Sequence, residues 1–186
     1  MTAMTTQILG LPRGRALTRS DLAGLPDDGH RYELIDGTPV VSPAPELAHQ
    51  RAVTRLSALL GRRVPEHLEV LVAPFDVVLA EDTVLQTDVL VAPIDQFTDH
   101  SLPGAPLLAV KVLSPSTRGI DLLLKKDRLA RAGCPHYWIV DPDEPSITAW
   151  SLVGEDYVAV AQAVGDDEFT VAAPFPVRLT PSGLTA

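Results

Sequence analysis

Three strand-length apolar segments follow one another in the middle of this 186-residue chain, at residues 69–79, 84–92 and 107–114. Their lengths and their content of β-branched side chains favour strands over helices. Strands that follow one another in sequence are usually neighbours in a sheet. The chain must therefore fold around a β-sheet, and its other segments must cover the faces of that sheet.

A short helix and a hairpin are predicted before these strands. Residues 18–26 suit a helix in which Thr18 is the N-cap and Asp21 lies three positions further on. Residues 31–41 contain two strand-like halves that are separated by Asp36-Gly37. This dipeptide indicates a hairpin, because both central residues of such a tight turn must accept a positive φ.

The segment at 45–64 carries the clearest helical pattern. Val53, Leu56 and Leu60 recur at helical spacing and predict one buried stripe, and most of the arginines lie off it. His49 falls one turn before Val53, so it should face inward as well. A histidine on such a stripe is more often a core residue than a ligand.

A second helix and further strands complete the pattern. The helix is expected to start near Asp121, a candidate N-cap, and to end at Gly133. The order of elements predicts an α/β or α+β sandwich around a mixed sheet. We expect a single domain at 18–186, preceded by a loose N-terminus at 1–17. Four more strands are expected at residues 136–141, 147–152, 157–164 and 169–175.

Composition limits the functions that the chain can have. Its formal net charge is −9, so it has no general electrostatic attraction for nucleic acid, and any phosphate contact needs a local basic patch. Cys134 is the only cysteine, which excludes an intrachain disulfide and a zinc site built on cysteines. Because no apolar segment is long enough to span a membrane and the N-terminus lacks an apolar signal core, we expect a cytoplasmic protein.

One charged residue interrupts the apolar segment at 107–114. Lys111 lies among leucine, alanine and valine, and a buried ammonium group is costly unless a negative charge faces it. Asp88 lies in the preceding strand, which should pair with the strand of Lys111. The next helix brings Lys125 back towards the ends of these strands. Asp88, Lys111 and Lys125 are therefore expected to converge.

Such a convergence has two interpretations. In magnesium-dependent phosphodiester cleavage, carboxylate oxygens hold a hard cation that activates water, and a lysine stabilises the developing charge. Buried aspartate–lysine pairs without any chemistry are also common, and on spacing alone this structural interpretation is favoured. The residues by themselves leave both interpretations open.

The chain resembles the Uma-two family of restriction endonucleases, which belongs to the PD-(D/E)XK nuclease superfamily. The motifs that carry the resemblance are, in order, RYELIDG, APFDVVL, QTDVLVA, LLAVKVLSPST, DLLLKK and AGCPHYWIVDP, and they cover roughly residues 18–160. The resemblance implies a restriction-endonuclease-like core, in which a mixed sheet is flanked by helices. It also implies a DNA endonuclease that uses Mg²⁺ or Mn²⁺ to hydrolyse phosphodiester bonds.

The resemblance also implies roles for individual residues. Asp88 matches the first metal-binding aspartate of the superfamily, and Lys125 looks like the catalytic lysine, carried here by the helix after the strand. Position 111 matches the second acid, which in the family is normally glutamate. The catalytic candidates are therefore Asp88, Lys111, Lys125, His49 and Asp121, and the candidate metal ligands are Asp88 and Glu33.

Lys111 is the residue at which the chain departs from the family pattern. Replacing a carboxylate by an ammonium changes the local charge by two units, and at about 4 Å and an effective dielectric of about 20 each unit pair contributes roughly 4 kcal/mol. We expect the Lys111 ammonium to occupy or shield the metal position and to pair with Asp88, which would leave catalysis weak or absent. Two alternatives stay open: Lys111 serves as the catalytic lysine while another acid holds the metal, or the substitution was introduced to inactivate the protein.

Two functions without catalysis are also compatible with the sequence. The first is a non-catalytic domain of the same fold that binds nucleic acid or a protein partner. The second is a self-associating scaffold in which the pair of Asp88 and Lys111 is purely structural. An exposed sheet edge, or the strands from residue 147 onward, can support a homodimer. The cations expected to bind nucleic acid in the first case are Lys111, Lys125, Lys126, Arg128 and Arg131.

Overall fold

The computed structural model describes residues 12, 14–25, 30–42, 44–114 and 120–186, with the backbone alone at 120–122. Most of the N-terminus that is predicted to be loose lies outside these residues. The helical elements are α1 (Arg19–Leu22), α2 (Leu47–Gly61), a 3-10 turn (Ile94–Gln96), a π-helical turn (Ile120–Lys125) that continues into α3 (Lys126–Arg131), and α4 (Pro181–Thr185). The strands are β1 (Arg31–Ile35), β2 (Thr38–Ser42), β3 (Leu68–Val72), β4 (Asp76–Ala80), β5 (Thr83–Leu85), β6 (Val89–Pro93), β7 (Ser101–Pro103), β8 (Leu108–Val112), β9 (His136–Asp141), β10 (Ser146–Val153), β11 (Asp156–Val164), β12 (Phe169–Val171) and β13 (Val177–Leu179).

These strands form two larger sheets and a small ribbon. The first sheet has the strand order β2-β1-β5-β4-β7, the central sheet has the order β11-β10-β9-β8-β6-β3, and β12 pairs with β13. Both larger sheets are mixed, because β4 is parallel to β7 in the first and β8 is parallel to β9 in the second. The predicted mixed α+β class is confirmed, with two larger sheets where the sequence indicates one.

Two of the predicted strands are each divided between the sheets. The segment at 69–79 becomes β3 in the central sheet and β4 in the first sheet, and the segment at 84–92 becomes β5 in the first sheet and β6 in the central one. Pro74 lies at the first division, where it cannot donate a hydrogen bond to a continuing ladder. Asp88 therefore lies directly before β6 and not inside a strand, which corrects its predicted position.

The central strand β8 is buried along its whole length. It pairs with β6 on one side and with β9 on the other, which confirms that the predicted segments 84–92 and 107–114 are neighbours in a sheet. Val110 and Val112 belong to the core under α2, whereas Ala109 packs with Ile35 of β1. Side chains alternate along a strand, so Lys111 shares the face of Ala109 and points towards the first sheet.

The predicted hairpin and the predicted helix α2 are confirmed, whereas the helix predicted at 18–26 is shortened to α1, with Thr18 at its N-cap. Asp36 and Gly37 have φ values of 49° and 73° in the turn between β1 and β2. Before α1, the Thr18 N–H group donates a hydrogen bond of 2.8 Å to Asp21 Oδ2. In α2, His49 is buried together with the predicted apolar stripe.

The second half of the chain differs from prediction at its helix start and its short elements. The π-helical turn begins at Ile120, so Asp121 lies inside the helical segment and not at its N-cap. The strand predicted at 169–175 is shortened to β12, and β7, β13 and α4 are unpredicted. Each of these has five residues or fewer, which is too short for a periodic signal. None of the described helices is long and apolar enough to cross a membrane.

Candidate active site

The carboxylate of Asp88 is the centre of a buried group of charges. Its Oδ2 atom lies 2.9 Å from Lys111 Nζ and accepts a hydrogen bond of 2.8 Å from the Val112 N–H group. Its Oδ1 atom accepts a hydrogen bond of 3.1 Å from the Arg31 guanidinium and lies 3.4 Å from His49 Nε2. Asp88 is 1% exposed, so it faces the lysine of β8 out of contact with bulk water.

Lys125 forms a second buried ion pair beside the first. Its ammonium lies 2.6 Å from Glu33 Oε2, and the other oxygen of Glu33 accepts a hydrogen bond of 2.8 Å from the Gln86 N–H group. Both charged side chains are buried. The pair joins the helical segment after β8 to β1 of the first sheet, across 92 residues of sequence.

The crossing segment at 86–88 joins the two pairs into one cluster. Arg31 donates to the Gln86 carbonyl oxygen at 2.9 Å as well as to Asp88. Arg31 and Glu33 are two residues apart on β1, so both side chains lie on the same face of that strand. We name the buried ionic cluster by its members: Arg31, Glu33, His49, Asp88, Lys111 and Lys125.

The charges of the cluster keep Asp88 ionised. Burial by itself raises the pKa of its carboxyl group, because the charged form loses its hydration. The positive charge of Lys111, followed by the contact with His49 and the positive charge of Arg31, outweighs this effect and lowers the pKa of Asp88 below its ordinary value. Asp88 is therefore a carboxylate whose negative charge is already compensated by neighbouring cations.

The structure brings together five of the six candidate site residues. Asp88, Lys111 and Lys125 lie in the buried ionic cluster, and so do His49 and Glu33. The backbone of the sixth, Asp121, lies in the π-helical turn that carries Lys125, and its side chain is outside the described residues. A role for it stays a prediction.

Sequence reasoning missed two members of the site. Arg31 and Gln86 supply the bonds that connect the two ion pairs. The alternation of a strand could have pointed to Arg31, because it lies two residues before Glu33 in the motif RYELIDG. Gln86 acts through its backbone N–H and carbonyl groups, so its residue type carries no signal.

The candidate ligands do not fit a divalent metal ion in this arrangement. Mg²⁺ requires oxygen ligands in nearly octahedral geometry. Both oxygens of Asp88 already accept from cationic or N–H groups, and so do both oxygens of Glu33. Among the residues that the structure describes, no three His, Cys, Asp or Glu side chains form a group that could hold a metal. The ammonium of Lys111, 2.9 Å from Asp88 Oδ2, would also repel a cation at this carboxylate.

Two mixed sheets with helices packed against them give the chain the restriction-endonuclease-like fold class, and an aspartate and a lysine are buried at the junction of the sheets. The chain belongs to the Uma2 family, whose model, described as "Putative restriction endonuclease", matches residues 19–185. It is also similar to the crystal structure of a "putative nuclease belonging to DUF820" from Anabaena variabilis. That likeness has a TM-score of 0.70 at 17% identity and covers 91% of this chain and 97% of the other. No curated protein sequence gives a significant match.

Proposed function

We propose that this chain derives from metal-dependent DNA endonucleases and that Lys111 keeps its hydrolytic centre inactive by acting as the counter-ion of Asp88. The observation that carries the proposal is the distance of 2.9 Å between Lys111 Nζ and Asp88 Oδ2. The family supports a nuclease of the restriction-endonuclease type. Dependence on Mg²⁺, DNA as substrate and the loss of activity are parts of the proposal.

Electrostatics supports an inactive centre over a weakened one. Repulsion between an ammonium and a divalent ion grows as the two approach, and a buried site screens it poorly. Lys111 is 6% exposed and lies in the middle of the sheet, so its charge has little access to water if a metal displaces it. A metal ion would therefore have to break a formed ion pair and leave a buried cation uncompensated.

Restoring the acid at position 111 is the direct test. Lys111→Glu places two carboxylates side by side, and they should repel each other until a divalent cation binds between them. We expect this variant to nick supercoiled plasmid DNA in Mg²⁺ or Mn²⁺ and to lose that activity in chelator, while the original chain leaves the plasmid intact. The double variant Asp88→Asn/Lys111→Glu is the matched control and should be inactive.

Thermal unfolding gives a readout of the same site without catalysis. Metal that binds the folded state alone raises stability by RT ln(1 + [metal]/Kd), which is about 2.7 kcal/mol at one hundred times Kd. The melting temperature of Lys111→Glu should therefore rise with Mg²⁺ or Mn²⁺, whereas that of the original chain should stay constant. Asp88-dependent metal binding by the original chain would overturn the proposal and favour Lys111 as the catalytic lysine, with another acid helping Asp88 to hold the metal.

The non-catalytic alternative receives no support from the cations that the sequence suggested for it. Lys111 and Lys125 are buried in ion pairs. Arg128 bonds Asp36 and Asp127, and Arg131 lies 3.0 Å from Asp127. Lys126 lies 4.1 Å above the ring of Trp150. A surface that attracts nucleic acid must therefore be sought elsewhere on the molecule.

Self-association and location are also parts of the proposal. The strand β11 is an edge of the central sheet in the described residues, and Val158, Val160 and Val164 on it are exposed. Such an edge can pair with the same strand of a second copy. We propose a cytoplasmic protein that can dimerise in this way, and light scattering on the purified protein measures its mass in solution.

A further inference from the structure

The outer face of α2 carries positive charge in a chain that is acidic as a whole. Four of the twelve arginines of the sequence lie in α2 or directly after it, and the segment 47–64 contains no aspartate or glutamate. These arginines are exposed. We name three of them, Arg51, Arg55 and Arg62, the arginine stripe.

Helix geometry aligns the three arginines. At 100° per residue, Arg55 is turned by about 40° from Arg51, and Arg62 by about 20°. With a rise of 1.5 Å per residue, the stripe is about 16 Å long. His49, two residues before the first arginine, points to the opposite side and reaches Asp88. The stripe therefore runs along the solvent face of the helix whose inner face contributes to the buried ionic cluster.

None of the three stripe arginines has a carboxylate partner among the described residues, whereas five other arginines do. Arg15, Arg31, Arg128, Arg131 and Arg178 each form an ion pair with an aspartate or glutamate. Arg55 makes one long hydrogen bond of 3.5 Å, to the Gly183 carbonyl oxygen. The positive charge of the stripe is thus available to an external anion.

An open cleft extends the positive surface towards α4. It has a volume of about 500 Å³, and Arg55, Arg62 and Arg63 line it together with Leu59 and Leu184. Because the cleft is concave, several of these guanidinium groups can contact the same polyanion. Guanidinium groups bind phosphate oxygens with two parallel hydrogen bonds, which suits this chemistry.

We propose that the arginine stripe binds the phosphate backbone of nucleic acid, independently of metal. Duplex DNA carries one negative charge per about 1.7 Å of its axis, so a stripe of about 16 Å faces several phosphates. A protein partner would need an apolar centre of contact, and the positions between the arginines are Thr54 and Ala58. Of the nearby leucines, Leu59 is half-buried and Leu184 is buried, and the exposed Leu47 lies one turn before the first arginine, at the end of the stripe and not at its centre. The rest of the molecule is acidic, so the arginine stripe should be the surface that contacts nucleic acid. The acidic residues should not cancel this attraction, because charges more than about 10 Å away are screened at 0.1 M salt.

The inference rests on the proposed function only for the choice of nucleic acid as partner. Its test is the anisotropy of a labelled DNA duplex titrated with the original chain in chelator, at NaCl concentrations from about 25 to 200 mM. We expect binding that weakens with salt, and each arginine of the stripe should contribute about 0.9 to the slope of log K against log[salt]. The triple variant Arg51→Ala/Arg55→Ala/Arg62→Ala should therefore lose up to about 2.7 units of slope.

Matched variants distinguish binding by the arginine stripe from a general effect of the protein's charge. The double variant Arg131→Ala/Arg178→Ala removes two other highly exposed arginines, 71% and 70% by side chain, and should leave the slope unchanged. Replacing the three stripe arginines by lysine should preserve it, because the charges remain. The single change Arg51→Ala, at an exposed position, guards against a triple variant that fails to fold.

Three outcomes would overturn the inference: no binding by the original chain, an unchanged slope in the stripe variants, or equal binding of a labelled polyglutamate peptide. The last would mark the stripe as a site for acidic protein. The result is distinguishable from the nuclease proposal, because chelator removes any contribution of metal and the Lys111→Glu assay is read by cleavage. If the stripe variants lose slope but Lys111→Glu does not cleave DNA, the inference of nucleic-acid binding would hold and the nuclease proposal would fail.

Discussion

Asp88 is 1% exposed and accepts bonds from two cationic side chains and from one backbone N–H group of β8. Removing one partner of such a pair is costly, because the remaining charges stay buried without compensation. The same contacts lower the pKa of Asp88, which ties the stability of the protein to pH. A group whose pKa is lowered by folding stabilises the protein above its unfolded pKa and loses this contribution as the pH falls.

Acid unfolding should therefore depend on Asp88. The carboxyl group of an unfolded aspartate binds a proton near pH 3.9, while the folded group resists it, so stability should fall by up to about 1.4 kcal/mol per pH unit below about pH 4. In Asp88→Asn we expect a loss of about 3–5 kcal/mol at neutral pH and a flatter dependence between about pH 4 and 2. Urea unfolding at a series of pH values measures both. Asp99→Asn, at an exposed position, is the control, and parallel pH curves for Asp88→Asn and the original chain would contradict the prediction.

At the scale of elements, the sequence predicts what short-range chemistry determines. The hairpin follows from Asp36-Gly37, and α2 follows from the spacing of its apolar residues. The division of the segments 69–79 and 84–92 could not be predicted, because a run of β-branched residues fits either sheet equally well. The short strands and helices depend on partners that are distant in sequence.

The same distinction applies to the candidate site. The pair of Asp88 and Lys111 could be predicted, because it needs only that β6 and β8 be neighbours. The pair of Glu33 and Lys125 could not be derived from the residues, since it depends on how the first sheet docks against the central one. The family resemblance singled out both residues but did not indicate that they bind each other.

The turn between β1 and β2 gives a prediction at this scale. Gly37 has a φ of 73°, and a Cβ atom there would lie 2.5 Å from the Cβ atom of Ala16. Gly154, in the turn between β10 and β11, has a φ of 65° with no atom within 4 Å of such a Cβ. Gly154→Ala should therefore cost about 1 kcal/mol from backbone strain, and Gly37→Ala about 3 kcal/mol or more, because the neighbouring segment must also move. Urea midpoints compare the two variants, and an equal loss would argue against the steric contribution.

At the scale of the whole molecule, the chain passes twice between the two sheets near the buried ionic cluster. The connections at 73–75 and 86–88 join strands of different sheets, and the Ala73 N–H group donates a hydrogen bond of 3.2 Å to the Asp88 carbonyl oxygen. The sheets are thus linked by backbone and by ion pairs at the same place. We expect the cluster and the inner strands of the central sheet to unfold together as one cooperative unit.

Hydrogen exchange should reveal this unit. Every residue of β8 is buried, and β9 beside it is buried from Tyr137 to Asp141, whereas most residues of β11 at the edge are exposed. Amides of β8 and β9 should therefore exchange only through global unfolding, while those of β11 that face away from β10 exchange through local opening.

The Val112 amide is a sensitive reporter, because it donates to Asp88, and its protection should fall in Asp88→Asn more than that of Val110. Mass spectrometry or NMR after exchange into D₂O measures these rates. Uniform protection across β8, β9 and β11 would mean that the edge strand is covered in solution, as it would be in a dimer formed through β11.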